Sequence, residues 1–155
     1  MQIVKIRGSQ GSWEAQVTYP DRRKEVLACV HQHFWRSGPS GPCYDDPWAS
    51  DLRKSPKFTK HVELIRSKGR VILTTDKIDE SKNRGEGFFE RTGYIAVYNI
   101  DGLVLDDEGM RFRFADRIAQ MMSPGYPHRD WRQQNPTDHS DSPASGRPCG
   151  DNIPT

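Results

Sequence analysis

The chain is poor in apolar residues. Only 34% of its 155 residues are hydrophobic, and its mean hydropathy of -0.86 is low for a globular protein. No apolar run approaches the ~20 residues that a helix needs to cross a bilayer, so we expect no membrane partner. A composition this polar also indicates that part of the chain adds nothing to a hydrophobic core.

Aliphatic residues are scarcest towards the C-terminal end. From Ser123 the sequence reads SPGYPHRDWRQQNPTDHSDSPASGRPCGDNIPT, which is rich in Pro, Ser, Asp and Asn. Such a segment buries too little apolar surface to offset the entropy lost on ordering. We therefore predict one compact domain over residues 1–122 and an extended or disordered tail over residues 123–155.

Cysteine is also scarce. Cys29, Cys43 and Cys149 are odd in number and widely spaced, and we expect no secretory leader ahead of them. Small secreted domains that depend on disulfides carry denser, even-numbered sets of cysteines. We therefore expect reduced thiols and a cytoplasmic location.

What the sequence has instead is a series of runs in which apolar and polar residues alternate, and these predict strands. Residues 1–35 contain three runs separated by turn residues, which predicts a meander, and another run spans residues 70–78. Two more lie within Gly93–Ala119, where residues 106–109 have the chemistry of a tight turn between antiparallel strands. Gly102 marks either a rival turn or a bulge in one long strand.

One helix is predicted, over residues 56–68. Ser55 can cap it, Pro56 suits its first position and Gly69 can end it. Residues 36–55 are rich in Pro and Gly, and we expect a long irregular connection there. The predicted fold class is α+β: a curled antiparallel sheet or small β-barrel with one main helix.

The middle of the chain resembles a known superfamily. A helix is followed by Lys-Gly-Arg and a strand over Lys68–Ile78, and then by a loop and the strand Gly-Tyr-Ile-Ala-Val-Tyr over Gly93–Tyr98. This run, about residues 56–118, resembles the PUA-like barrels of the EVE and ASCH domains. The resemblance implies a barrel and an RNA or modified-nucleotide partner. The Gly-x-Lys-x-x-Glu-x-Arg signature of ASCH domains is absent, so no binding residue is carried over.

Positive charge is concentrated in the first part of the chain. The net charge is +2, but residues 1–91 hold 17 Lys and Arg against 12 Asp and Glu. Cations cluster around the start of the predicted helix, where they oppose the helix dipole and where a bound anion would be stabilised. With tryptophans nearby for stacking, this pattern is typical of single-stranded nucleic-acid binders. The candidate binding residues are Arg53, Lys54, Lys57, Lys60, Lys68, Trp35 and Trp48.

A second candidate site is the sequence Cys-Val-His-Gln-His at residues 29–33. In a strand, Cys29, His31 and His33 would project from one face at spacings of ~6.6 Å. Thiolate and imidazole are zinc ligands, so this face could hold zinc if a further ligand came from elsewhere. The alternative is an ordinary strand face with two histidines and a small buried thiol. The candidate further ligands are Cys43, Asp45, Asp46 and His61.

The sequence favours a small cytoplasmic binding module for nucleic acid or a nucleotide. The competing interpretation of the same residues is an exposed helix with solvated lysines and tryptophans that fill the core. A different function that also fits is a metal-dependent hydrolase built on Cys29, His31 and His33, and a third is a protein-interaction or inhibitor domain. No residue is assigned a catalytic role, and no cofactor other than zinc is indicated.

Overall fold

The structure is a computed structural model that describes residues 1–8, 12–49, 54–82 and 89–121. The predicted tail over residues 123–155 lies outside these ranges. The described residues are mostly strand, and the helix is α1 (Pro56–Lys68). No helix among them is long and apolar enough to cross a membrane. The strands are β1 (Gln2–Arg7), β2 (Glu14–Thr18), β3 (Lys24–His31), β4 (Trp35–Gly38), β5 (Gly41–Asp46), β6 (Arg70–Ile78), β7 (Phe89–Asp106) and β8 (Gly109–Met121).

The strands form one curled sheet in the order β1-β2-β3-β6-β7-β8-β5-β4, and β1 also pairs with β8. A path through neighbouring strands from β1 to β8 therefore returns to β1. The predicted curl is confirmed, but the sheet is mixed and not wholly antiparallel, because β3 pairs with β6 and β1 with β8 in parallel. The parallel pairing of β3 and β6 arises because α1 carries the chain back along the sheet before β6 begins.

The locally encoded elements are confirmed. β1, β2 and β3 are antiparallel neighbours, as a meander requires. Helix α1 begins at Pro56 and ends before Gly69, whose φ of 68° is left-handed. The Ser55 side chain makes no cap bond, but the Ser55 carbonyl accepts bonds from the amide and hydroxyl of Thr59.

The predicted hairpin near the end of the domain is also confirmed. β7 and β8 are antiparallel, and Asp106 pairs with Gly109 across the turn. Gly109 has a φ of 118°, and a Cβ added there would lie 2.1 Å from the Asp46 carbonyl oxygen, so this turn requires glycine. β7 runs through Gly102, where φ is 69° and the register shifts, so Gly102 marks a bulge and not a turn.

The prediction of an irregular connection over residues 36–55 was wrong for the first part of this segment. β4 and β5 form an antiparallel hairpin there, and β5 pairs with β8. The glycines and prolines serve the tight turn and the edge of the sheet, and do not make the segment irregular. The hairpin is anchored by aromatic stacking, of Trp35 on Phe114 at 4.5 Å and of Tyr44 on Phe112 at 4.8 Å between ring centroids.

Apolar residues pack on both faces of the sheet. One core lies inside the closed path of strands that runs from β1 to β8. β1, β2, β3, β6, β7 and β8 all contribute side chains to it. The other lies between the opposite face of the sheet, α1 and the β4–β5 hairpin. Phe58, Val62 and Ile65 of α1 are buried in this second core. This packing holds α1 against the sheet.

Candidate functional site

The residues of the predicted zinc site do not share one strand face. β3 ends at His31, and Gln32–Phe34 form a 3-10 turn, so the alternation of a strand does not extend to His33. Cys29 packs into the core inside the closed path of strands, whereas His33 is exposed. The predicted common face was therefore wrong, and the described ranges contain no group of three or more His, Cys, Asp or Glu that could hold a metal ion.

The cysteines among the described residues are not reactive groups. Cys29 is free, and its Sγ lies 3.6 Å from Arg91 Nη1. Burial raises the pKa of the Cys29 thiol to about 12, so the thiol stays protonated at neutral pH. Cys43 is disulfide-bonded, so the expectation of reduced thiols fails at Cys43.

A histidine–aspartate pair lies where β3 and β6 end. The parallel register sets His31 opposite Thr74, and Asp76 follows two residues later on the same strand. His31 Nδ1 is 2.8 Å from Asp76 Oδ1, and Thr74 Oγ1 lies 3.0 Å from the same oxygen. The Asp76 side chain is 2% exposed and that of His31 is 33% exposed. A carboxylate in this position orients the imidazole by accepting a bond from Nδ1 and leaves Nε2 available to a ligand.

Aromatic rings surround this pair. The ring of Phe89 stacks with His31 at 4.4 Å and with Trp48 at 5.5 Å between centroids. Phe34 meets the rings of Trp48 and Phe89 edge-on, each at 5.5 Å. The His33 centroid lies 5.0 Å from that of Phe34 and 5.3 Å from that of Phe89. We call these five residues, His31, His33, Phe34, Trp48 and Phe89, the ring cluster.

The ring cluster differs from ordinary core aromatics in its contact with solvent. Phe34 is buried, but His33 is exposed and the other three members are only partly buried. The stacked rings of the β4–β5 hairpin and β8, in contrast, are each 5% exposed or less. Rings that stack and still reach solvent offer a flat surface to a planar ligand.

Buried charges hold the backbone beneath the ring cluster. Arg36, which is 8% exposed, donates bonds from Nη1 to the carbonyl oxygens of His33 and Trp35. Asp46 accepts a bond from the Trp48 amide, and burial raises the pKa of Asp46 to about 6. Partial burial, followed by the charges of Arg36 and His31, lowers the pKa of His33. This shift favours the neutral form of His33.

The start of α1 lies at the same end of the sheet as the ring cluster. The first turn of α1 packs on Trp13, whose carbonyl oxygen accepts a bond from the Cys29 amide, two residues before the end of β3. Phe58 of the first turn packs in the same core as Phe34. Trp13 contacts Phe58 at 6.1 Å between centroids, and Lys57 Nζ lies 4.9 Å from the Trp13 ring centroid.

The structure separates the predicted binding residues. Lys54, Lys57 and Lys60, which we call the lysine group, are all exposed near the start of α1, where the first turn holds no acidic residue. Lys68 lies at the far end of the helix, where its charge contributes to lowering the pKa of Glu25.

The predicted tryptophans are separated as well. Trp35 is 5% exposed and stacks on Phe114 in the core, whereas Trp48 belongs to the ring cluster. Arg53 lies outside the described residues.

Asp76, Phe89 and Trp13 were missed as site residues by sequence reasoning. The polar run Thr74-Thr75-Asp76 at the end of a β-branched strand was the available signal for Asp76. Trp13 and Phe89 carried none, because an aromatic residue at the start of a strand usually fills a core. Their role depends on which strands become neighbours, and that is not a local property of the sequence.

No protein-family model matches this sequence, and no curated protein or solved structure matches it significantly. The resemblance to PUA-like barrels therefore stays a prediction. Function has to be inferred from the residues of the site.

Proposed function

We propose that the protein is a binding module for single-stranded nucleic acid or a nucleotide. A base stacks on the solvent-accessible side of the ring cluster, and the lysine group contacts phosphate. The observation that carries the proposal is that partly exposed stacked rings and the exposed Lys57 both lie near the end of β3. Lys57 contacts the Trp13 ring, and the Trp13 carbonyl oxygen accepts a bond from the Cys29 amide, two residues before His31. A PUA-like barrel is the proposed scaffold, supported by the closed path of paired strands from β1 to β8.

The ring cluster supplies the stacking surface. His33 is exposed, and Trp48 is held flat against Phe89 with an interplanar angle of 27°. Stacking of a base on an aromatic side chain contributes about 1–3 kcal/mol and tolerates any base, because every base has a π-face. This chemistry fits binding with little sequence preference.

The lysine group supplies the electrostatic attraction. The Ser55 side chain makes no cap bond to α1, and the macrodipole is positive at this end. A phosphate there is attracted both by the helix dipole and by the lysines.

The proposal is tested by fluorescence anisotropy of a labelled single-stranded oligonucleotide at several salt concentrations. We expect the affinity to fall steeply with salt, with a slope of about -0.7 in log K against log[salt] for each phosphate contact. The double substitution Lys57→Ala and Lys60→Ala should make this slope shallower by about one unit. The matched control is Lys5→Ala with Lys24→Ala, which removes the same charge from exposed positions elsewhere. Binding that is absent, or insensitive to salt, contradicts the proposal.

A further inference from the structure

Two imidazoles border one ring of the ring cluster. The centroid of His31 lies 4.4 Å from that of Phe89, and the centroid of His33 lies 5.3 Å from it. Both histidines reach solvent, since the His31 side chain is 33% exposed and His33 is exposed. A strand stacked on this surface would place a phosphodiester beside two imidazoles, the side chain used most often for acid–base catalysis.

The two imidazoles have different surroundings. His31 is bonded through Nδ1 to the buried carboxylate of Asp76, which orients the ring. Thr74 in turn holds the carboxylate. His33 makes no such bond to a carboxylate within the described ranges, and partial burial lowers its pKa. Two imidazoles on one surface, one of them oriented by a buried carboxylate, can divide the roles of acid and base.

RNA supplies its own nucleophile, the 2′-hydroxyl next to each phosphodiester. Its cleavage by that hydroxyl needs one group to remove a proton and one to deliver a proton. The protein therefore needs no nucleophilic side chain for this reaction, and the Cys29 thiol, buried and protonated, takes no part.

We propose, building on the nucleic-acid binding proposed above, that the protein cleaves single-stranded RNA by transferring the phosphodiester to the neighbouring 2′-hydroxyl. Neutral His33 takes the proton from the 2′-hydroxyl as this oxygen forms a new bond to phosphorus. The bond from phosphorus to the 5′-oxygen breaks, and protonated His31 gives its Nε2 proton to the departing oxygen. The products are a 2′,3′-cyclic phosphate and a 5′-hydroxyl, and nothing is oxidised or reduced.

Asp76 acts as a positioning residue through His31. Substitution Asp76→Asn keeps an oxygen that can accept the Nδ1 bond but removes the negative charge beside the imidazole of His31. We expect kcat to fall about tenfold or more while KM stays the same. A purely structural role for Asp76 would instead alter KM as well.

The experiment incubates the full chain with an end-labelled single-stranded RNA and identifies the product ends. Binding is measured in parallel with a 2′-O-methyl oligonucleotide of the same sequence, which cannot react. The variants are His31→Gln, which keeps a group that can bond to Asp76, and His33→Phe, which keeps an aromatic ring. Both histidines belong to the ring cluster, so each variant is assayed at protein concentrations that saturate its binding, as set by its own affinity for the 2′-O-methyl oligonucleotide. At saturation we expect each variant to cut RNA about 100-fold more slowly or worse.

Two controls make the result independent of variant folding and of contaminating nuclease. Wild-type protein should fail to cut an oligonucleotide whose 2′-hydroxyl is absent at every position. The double variant of His31→Gln with His33→Phe, purified in the same way, should show no cleavage.

The possible outcomes separate cleavage from binding. If wild-type protein binds the 2′-O-methyl oligonucleotide but leaves RNA uncut, the cleavage proposal is overturned and the binding function stands. Products that end in a 3′-hydroxyl, or cleavage that persists in the double variant, overturn the cleavage proposal in the same way. Failure to bind the 2′-O-methyl oligonucleotide overturns both proposals.

Discussion

β3 and β6 carry a polar pair at each end, and the two pairs differ in chemistry. At the starting end, Glu25 accepts bonds from Arg70 Nε and Nη2, each at 2.8 Å, and a further bond from the Tyr19 hydroxyl. At the other end, His31 Nδ1 lies 2.8 Å from Asp76 Oδ1. In both pairs the partners are 45 residues apart in sequence, and between the two pairs Cys29, Val30 and His31 lie opposite Ile72, Leu73 and Thr74 in a parallel register.

The difference between the two pairs shows what distinguishes a structural pair from a candidate functional one. Glu25 and Arg70 neutralise each other permanently, and the Glu25 side chain is 8% exposed. The His31 pair includes an imidazole that keeps contact with solvent and borders stacked rings. Burial of a charged pair is thus no sign of function by itself; a titratable, accessible member beside a ligand surface is a better one.

The largest expected effect is on stability at the Glu25 end. Substitution Glu25→Ala leaves Arg70 and the Tyr19 hydroxyl without their acceptor, and we expect the free energy of unfolding to fall by about 3 kcal/mol. Urea denaturation measures it. The control is Glu63→Ala, which removes an exposed ion pair with Arg66 and should cost about 0.5 kcal/mol or less. Equal losses in the two variants would contradict a structural role for Glu25.

A smaller effect on stability is expected at the His31 end. Substitution Asp76→Ala removes the acceptor of His31, while the Thr74 hydroxyl retains the Val30 carbonyl at 3.3 Å. We expect a loss of about 1–2 kcal/mol in the same urea experiment. A loss as large as that for Glu25→Ala would show that both pairs are primarily structural, and would weaken the contrast between them.

Acid should reduce the stability that Glu25 contributes. Burial acts to raise the pKa of Glu25, but the bonds from Arg70 and Tyr19 outweigh it, and the net pKa lies below the usual 4.5. The folded state therefore binds this proton less readily than the unfolded state does. The resulting stability is present above about pH 4.5 and is lost as pH falls below it. Thermal unfolding between pH 6 and pH 3 should show a shallower acid loss for Glu25→Gln than for wild type, and parallel curves would refute this assignment.

The smallest effect is expected at the start of α1. Lys57 Nζ lies 4.9 Å from the Trp13 ring centroid, and an exposed cation–π contact of this kind contributes about 0.5–1 kcal/mol. Lys57→Met, which keeps the apolar stem, should reduce the free energy of unfolding by no more than this amount. A much larger loss would mean that Lys57 is needed for folding. Weaker binding by a Lys57 variant would then reflect unfolding and not a lost phosphate contact.

Local signals in the sequence were sufficient for much of the fold. The ends of α1 follow from Pro56 and Gly69, and the β7–β8 hairpin follows from the turn residues before Gly109. These features depend on the conformational preferences of adjacent residues. The β4–β5 hairpin was missed because its glycines and prolines were taken as signs of irregularity, whereas they mark a turn and a sheet edge.

The candidate site was less accessible to sequence reasoning. Period-2 spacing predicted a common face for Cys29, His31 and His33, but a 3-10 turn follows His31 and breaks the alternation. The pairing of His31 with Asp76 depends on the parallel contact between β3 and β6, and no local pattern encodes which strands become neighbours. The lysine group could be found from its spacing, but its position beside stacked rings could not.

The central claim is that the end of β3 and β6 that carries the ring cluster binds nucleic acid, while the opposite end serves only stability. The most direct test is the affinity of the 2′-O-methyl oligonucleotide for two folded variants, Trp48→Ala and Glu25→Gln, measured under native conditions. We expect Trp48→Ala to weaken binding about tenfold, from the loss of base stacking, and Glu25→Gln to bind like wild type. Equal affinities of wild type and Trp48→Ala, or a weakening by Glu25→Gln as large as that by Trp48→Ala, would contradict the claim.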